Sequence, residues 1–276
     1  MDKIRQPAVA GLFYPRDTED LNNEVKQFLL CAQRSPNKQL TQSPKALIVP
    51  HAGYRYSGQI AATAYATLIP NAQQIKRVVL LGPAHRTRFQ DLATTTMDFF
   101  RTPLGDIPID KSAIDRLLER PDILPLEAAH QQEHSLEVQL PFLQGILKHF
   151  SLIPIVIGDP SANQVQQVLD LLWGGPETVI IISSDLSHYH NYNTAQAYDR
   201  STCDAIEHAE AGYISSEQAC GCIGINGLLL AAKQRNMSVQ TLDLRNSGDV
   251  TGEKDTVVGY GSWAFSENPQ QQSARM

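Results

Sequence analysis

The sequence predicts an α/β fold: a single domain with a central, mostly parallel (mixed) sheet flanked by helices. Three observations carry that expectation. Apolar runs of strand length recur at 46–50, 77–83, 152–158 and 179–184, too uniform for strands with one wet face. Segments of helical periodicity alternate with them. Three of the runs stop at a Pro, Gly or Ser break followed by His or Asp. That place, beyond the carboxyl end of a strand, is where open α/β sheets hold their ligands.

In chain order, Ala8-Val9-Ala10-Gly11-Leu12-Phe13-Tyr14-Pro15 is an apolar arm expected to pack on the body. Asp17 or Thr18 then caps a helix through Leu21, Val25, Phe28 and Leu29, whose spacing is helical. Residues 34–45, rich in Ser, Pro, Asn, Gln and Lys, read as a surface connection. The strand at 46–50, a helix over about 57–68 ended by Pro70, and the strand at 77–83 form a βαβ unit. Its strands are parallel, so the loops carrying His51 and His85 open on one edge. Residues 91–110 read as extended or hairpin structure around the turn Pro103-Leu104-Gly105-Asp106, and 111–120 as a polar helix. Glu133-His134-Ser135-Leu136-Glu137-Val138-Gln139-Leu140 leads into a helix through Leu143, Ile146 and Leu147, with Pro141 near its first turns. A strand at 152–158, an amphipathic helix at 161–173 and the strongest strand, 179–184, follow. Helices over about 194–211 and 224–234 and strands at about 238–244 and 256–265 complete a domain of residues 1–267. Residues 268–276 are expected to fray as a flexible tail.

Composition narrows the partners. A chain of 276 residues with 42% hydrophobic and 19% charged content has ample material for one core. A net charge of -6 gives no general attraction to nucleic acid or to an anionic membrane. No apolar run approaches the length of a membrane span, and the first residues lack the apolar core of a signal peptide. A cytoplasmic location is the resulting expectation. Cys31, Cys203, Cys220 and Cys222 are too sparse for a disulfide framework. Cys31 and Cys203 fall on helical patterns and are expected in the core.

The chemistry concentrates at the strand ends. His51, His85 and the Asp185/His188 pair are delivered by three different strands, and imidazole is the commonest protein ligand for borderline metals. A thiolate from Cys220 would favour iron, copper or zinc over magnesium or calcium. Asp185 and His188, three apart after a strand, suit either support of a ligand or proton transfer. His134 and Glu137 would share one helix face, with Glu137 equally readable as a solvated or capping residue. His130, His149, His190 and His208 read as surface residues. The chain has no Walker A sequence, no Gly-x-Gly-x-x-Gly after a strand, no Gly-x-Ser-x-Gly and no His-Glu-x-x-His. Ser183, Ser184 and Ser187 read first as turn residues and only second as nucleophiles.

Four motifs in order resemble those of the Memo family, whose bacterial and archaeal members are also called protein B of the AmmeMemoRadiSam system. They are Pro50-His51-Ala52-Gly53-Tyr54, Leu81-Gly82-Pro83-Ala84-His85, Glu133-His134-Ser135-Leu136-Glu137-Val138-Gln139-Leu140-Pro141, and Ser183-Ser184-Asp185-Leu186-Ser187-His188. Ala10-Gly11-Leu12-Phe13-Tyr14-Pro15 and Val258-Gly259-Tyr260-Gly261-Ser262 fit as well, so the resemblance spans the body. It implies a fold similar to class III extradiol dioxygenases, with a cleft lined by His51, His85, Asp185, His188 and Cys220. It further implies iron or copper held by His51, His85 and Cys220, and redox chemistry. In that reading His188, oriented by Asp185, is the acid/base, with His134 nearby. Cys220 is preferred to Cys222 because a Cys-Gly pair before an apolar helix is the family pattern. The resemblance also implies an unidentified small molecule or peptide as ligand, and a functional link to a radical SAM protein and an AMMECR-type protein. A thiolate departs from the two-His-one-carboxylate triad of iron oxygenases and suits copper(I) better. Two alternatives use the same cleft: a non-catalytic peptide- or metal-binding protein, and a zinc-type hydrolase with metal-bound water as nucleophile.

Overall fold

In the computed structural model, which describes residues 2–34, 40 and 42–267, the arm opens with β1 (Ile4–Arg5). Asp17 then caps α1 (Thr18–Gln33), its carboxylate accepting from the Glu19 and Asp20 amides. β2 (Ala46–Val49), α2 (Tyr54–Ala66) and β3 (Arg77–Pro83) form the first βαβ unit. The extended region holds β4 (Leu92–Thr94), β5 (Phe99–Thr102) and β6 (Gly105–Pro108), followed by α3 (Lys111–Leu118). Next come β7 (Ile123–Pro125), α4 (Glu127–Gln131) and α5 (Leu140–Ile146). β8 (Ser151–Ile157), α6 (Ala162–Leu172) and β9 (Thr178–Ser183) complete the parallel centre. β10 (His188–His190), α7 (Tyr192–Glu207), α8 (Cys222–Gln234), β11 (Ser238–Asn246), α9 (Ser247–Thr251) and β12 (Val257–Ser266) follow.

The main sheet runs β10-β12-β2-β9-β3-β8-β4-β7, with β11 also paired to β12. β2, β9, β3 and β8 are mutually parallel, while β12 and β4 pair antiparallel to β2 and β8, so the sheet is mixed. Every residue of β2 and β9 is buried. The cause is the winding. The step from β2 to β3 and the step from β8 to β9 go in opposite directions across the sheet, so right-handed crossovers put α2 and α6 on opposite faces. α1 and α5 pack with α2, and α8 packs with α6. A strand covered on both faces has no wet side to alternate with, which is why these runs are continuous Val, Ile and Leu. A second, smaller sheet, β1-β5-β6, ties the N-terminal arm to the hairpin.

Several expectations are corrected by local chemistry. α2 begins at Tyr54 rather than near 57, and Pro70 lies in a separate 3₁₀ turn, Ile69–Asn71. Residues 133–147 are not one helix. The Glu133 carboxylate accepts from the amides of His134 and Ser135, which holds the chain in an irregular turn. A 3₁₀ turn, Glu137–Gln139, then leads into α5 with Pro141 at its start. His134 and Glu137 therefore do not share a face of one helix. The short elements β7, β10, α4 and α9 carry no periodic signal of their own. Cys31 is exposed on the outer side of α1, whereas Cys203 is buried as expected. Residues 35–39 and 41 of the surface connection, and the tail 268–276, lie outside the described residues.

His130, expected at the surface, is buried, with its ring against Phe100 and no well-formed hydrogen bond at either ring nitrogen. Burial pushes it down to about 4 from the ordinary 6.5. The folded state thus takes up the proton later than the unfolded chain does, so stability is lost as pH falls through that window. The loss from this residue is up to roughly 3 kcal/mol. Thermal melts between pH 7 and 4 should show a steeper acid slope for the parent protein than for His130→Phe. Equal slopes would remove His130 from the account.

Candidate metal centre

The carboxyl ends of β2, β9 and β3 lie side by side, with β9 in the middle. The loops after β2 and β3 therefore flank Ser183 and Asp185, and they bring in His51 and His85. Beyond the end of β2, Leu186 donates its amide to Gly259 O and Gly259 donates to Ser187 O. The 186–188 segment so continues beside β12 and delivers His188 to the same edge.

His51 is 1% exposed, and its tautomer follows from its neighbours. Ser183 Oγ donates its single proton to Ser135 O at 2.6 Å and accepts from Gln139 Nε2 at 2.8 Å. The contact of 2.9 Å between His51 Nδ1 and Ser183 Oγ must then be an Nδ1–H donating to the hydroxyl. The Nε2 lone pair is left facing the cluster. His85 reaches the same state by another route: its amide donates to Glu133 Oε2 at 2.6 Å and its Nδ1 to Glu133 Oε1 at 2.9 Å. This imidazole–carboxylate pairing is the support that metal-binding histidines commonly have.

His134 completes the group. Its ring stacks on His85 with centroids 4.6 Å apart, stands edge-on to His51 at 5.5 Å, and meets Phe13 at 4.8 Å. His51 and His85 are 5.1 Å apart, edge to face. One ligand atom from each of His51, His85 and His134 lies within 4.8 Å of the others, so the three can hold a metal ion. Ring nitrogens at about 2.0–2.1 Å from one ion would be roughly 3.4 Å apart in a tetrahedral arrangement, so side-chain shifts of about an ångström close the group. The donors also suit a cation in charge. Burial, then neighbouring His85, pushes His134 down to about 4, and burial pushes His51 well below the usual imidazole range. Both are neutral at pH 7. Burial alone would raise Glu133, but the bonds from the His85 ring, its amide and the Ser135 amide outweigh it and hold the carboxyl at about 2.

Cys220 lies at the His51 edge, with Sγ 3.3 Å from His51 Nε2, 3.7 Å from Asp185 O and 3.9 Å from Ser184 Oγ. Burial, with the Asp185 charge second, pushes this thiol well above its ordinary value, so it is protonated, with one proton for two acceptors, Asp185 O and His51 Nε2. A Cβ at Gly221 would stand 2.7 Å from Ser184 Cβ and 2.9 Å from Ser183 O, so only glycine lets the Cys220 turn sit against the end of β9. Cys222 opens α8 and packs on the core instead.

Asp185 is buried, and burial raises it to about 7 against the bonds it accepts from the His51 and Ala52 amides. The carboxylate therefore fixes the loop of His51. Its hydrogen bonds go to the His51 loop, and among the described residues none joins it to His188. His188 is half-buried and pushed down by burial, within electrostatic reach of His85.

Glu137 stands apart from the donors. It accepts from Arg5 Nη1, from the amides of Ala8 at 2.7 Å and Val9 at 2.9 Å, and from Tyr14 Oη at 2.6 Å. It anchors the arm that carries Phe13 to His134. Sequence reasoning missed Glu133 and Phe13 as site residues. Adjacency to His134 was the one available signal for Glu133.

The chain is similar to known proteins over nearly its whole length. A family model described as Memo-like protein matches residues 5–264. A MEMO1 family protein of Methanosarcina mazei is 37% identical over 274 residues, covering 94% of this chain and 98% of the relative. One from Aquifex aeolicus is 37% identical, covering 95% and 99% of the two chains, and one from Thermotoga neapolitana is 32% identical, covering 93% and 98%. In fold, the crystal structure of uncharacterized protein JW3007 from Escherichia coli K12 is similar, with a TM-score of 0.53 and 13% identity over 81% of this chain and 100% of that one.

Proposed function

The chain belongs to the Memo family, and from that premise we propose that it is a metal-dependent oxidoreductase acting on a small organic molecule in the cytoplasm. The observation that carries the proposal is the pair of fixed imidazoles: His51 and His85 each have Nδ1 engaged by a buried partner, which leaves Nε2 as the ring atom each can offer a metal. His134 completes the three-imidazole group, and Cys220 Sγ stands 3.3 Å from His51 Nε2. Imidazoles with a thiol at hand suit iron or copper and are poor company for magnesium or calcium. Iron or copper held there would supply one-electron chemistry.

The chain's own residues supply the rest. Asp185, with its pKa near 7, holds a proton in part at neutral pH and sits close enough to Cys220 to raise it. His188 is neutral at the rim and can accept a proton. Phe13 excludes water from one side of His134. Four free cysteines fit a reducing compartment. A functional link to a radical SAM protein and an AMMECR-type protein belongs to the same proposal and rests on family resemblance.

A zinc hydrolase is the second reading, favoured by one observation: three histidines are the protein ligands of one class of catalytic zinc site. Anaerobic purification, metal analysis and oxygen-uptake assays with small organic substrates separate the two. Bound iron or copper with substrate-dependent oxygen uptake is the expected result. Zinc with oxygen-independent turnover would replace it with the hydrolase. Metal with no turnover of any kind would leave a binding protein.

A further inference from the structure

The opposite end of the sheet carries a cavity of about 580 Å³. It lies where β3 and β8 begin, with Lys76 and Ser151 on its wall. The seven residues of β3, at about 3.3 Å each, put roughly 20 Å between it and the loop of His85. The other walls come from the β5–β6 hairpin, the end of α5 and the loop after it. Its volume falls among those of small-molecule sites, about 300–1,000 Å³. Gln144 holds the walls together. Both ends of its amide are engaged by the hairpin: it accepts from Thr102 Oγ1 at 2.5 Å and donates to Gly105 O at 3.1 Å. The lining is of two kinds. Leu104, Ile107, Pro108, Leu147 and Phe150 supply apolar surface. Lys76, Lys148 and His149 stand exposed around it. Among the described residues, these three side chains have no hydrogen bond and no carboxylate within ion-pair distance. Nearby cations are matched: Arg77 with Asp110 at 2.8 Å and Lys111 with Asp98 at 2.9 Å. Asp106 is the acid on the cavity wall, and both its oxygens are engaged by Arg101, at 2.6 and 2.7 Å. The Lys76 and Lys148 ammoniums are thus left uncompensated beside apolar surface, on a chain whose net charge is -6.

We propose that this cavity is a binding site, separate from the metal centre, for a small organic acid with an apolar body. The carboxylate pairs with Lys76 and Lys148, and the hydrocarbon or aromatic part covers Leu104, Leu147 and Phe150. The chemistry of the lining selects this class. A lysine ammonium is a compact point charge that a single carboxylate can match, without the planar fork an arginine offers to phosphate. The stems of the two lysines are themselves apolar and extend the surface that the body of the ligand covers. A chain of phosphates would leave the apolar walls in water, and an uncharged lipid would leave the ammoniums unmatched.

The test uses the full-length protein with octanoate as probe, and acetate and 1-octanol as comparators. Amide ¹H–¹⁵N shifts should move saturably with octanoate at residues 76, 104–107 and 147–151, and stay still at 51, 85 and 134. Acetate lacks the apolar body and octanol the charge, so each should bind at least about 10-fold more weakly than octanoate. This comparison needs no substitution. Lys76→Gln combined with Lys148→Gln removes two exposed ion pairs and should weaken octanoate about 10-fold. The same double variant should keep the parent's Tm and its affinity for octanol. No saturable binding, shifts centred on the loops of His51 and His85, equal affinity for octanol and octanoate, or an unchanged octanoate affinity in the double variant would each overturn the proposal. None of these results bears on the metal reading, which has its own test.

Discussion

His51→Ala is expected to fold and to lose its metal. The ring is the hub of the cluster, in contact with His85, His134 and Cys220 on one side and with Ser183 on the other. Metal-binding free energies of about 10–16 kcal/mol shared among three or four donors give about 3–5 kcal/mol each, or at least a hundredfold in affinity. The main-chain bond from the His51 amide to Asp185 survives the substitution, so the loop keeps its course. Elemental analysis and cobalt(II) titration of parent and variant give the comparison. Equal metal content in the two proteins would sink the assignment.

Glu137→Ala should destabilise the fold by about 3–5 kcal/mol, because it strands the Arg5 guanidinium in a buried pocket. For a domain of this size that corresponds to roughly 10 °C in Tm. The side chains of the pair are 4% and 0% exposed, so water cannot replace the lost partner. The Ala8 and Val9 amides and Tyr14 Oη lose their acceptor in the same step. The arm should loosen, and Phe13 with it, so weaker metal binding is expected as a secondary effect. Thermal unfolding, with limited proteolysis near residues 5–15, measures both. A change under 1 kcal/mol would show that the arm is held by its apolar contacts alone.

These two residues illustrate how unevenly the site was legible. His51 and His85 announce themselves because each follows a buried strand at a Pro or Gly break, and parallel strands share an edge. Glu137 and His134 sit four and one residues beyond Glu133 in a stretch that reads as a helix. The structure makes it a turn followed by a 3₁₀ segment, which sends His134 into the cluster and Glu137 to the arm. Cys220 was placed from family pattern, and it does reach His51, yet the three-imidazole group forms without it. His130 looked like a surface residue because one histidine carries no periodic signal, and what packs around it, Phe100 on its ring and Arg5 donating to its carbonyl, comes from distant parts of the chain.

By itself the sequence determined the α/β class, the buried parallel strands and the edge on which chemistry gathers. All of these follow from local patterns: a strand's period, a helix's period and the handedness of their connection. Only the tertiary structure decided which side chains meet there. The strand order put β9 between β2 and β3, so Ser183 lies within reach of His51 and sets its tautomer. Glu133 was drawn 48 residues across the sheet to His85, because a buried carboxylate needs donors and the loop after β3 offers them. Such pairings depend on distances between segments far apart in the chain, which no local periodicity encodes.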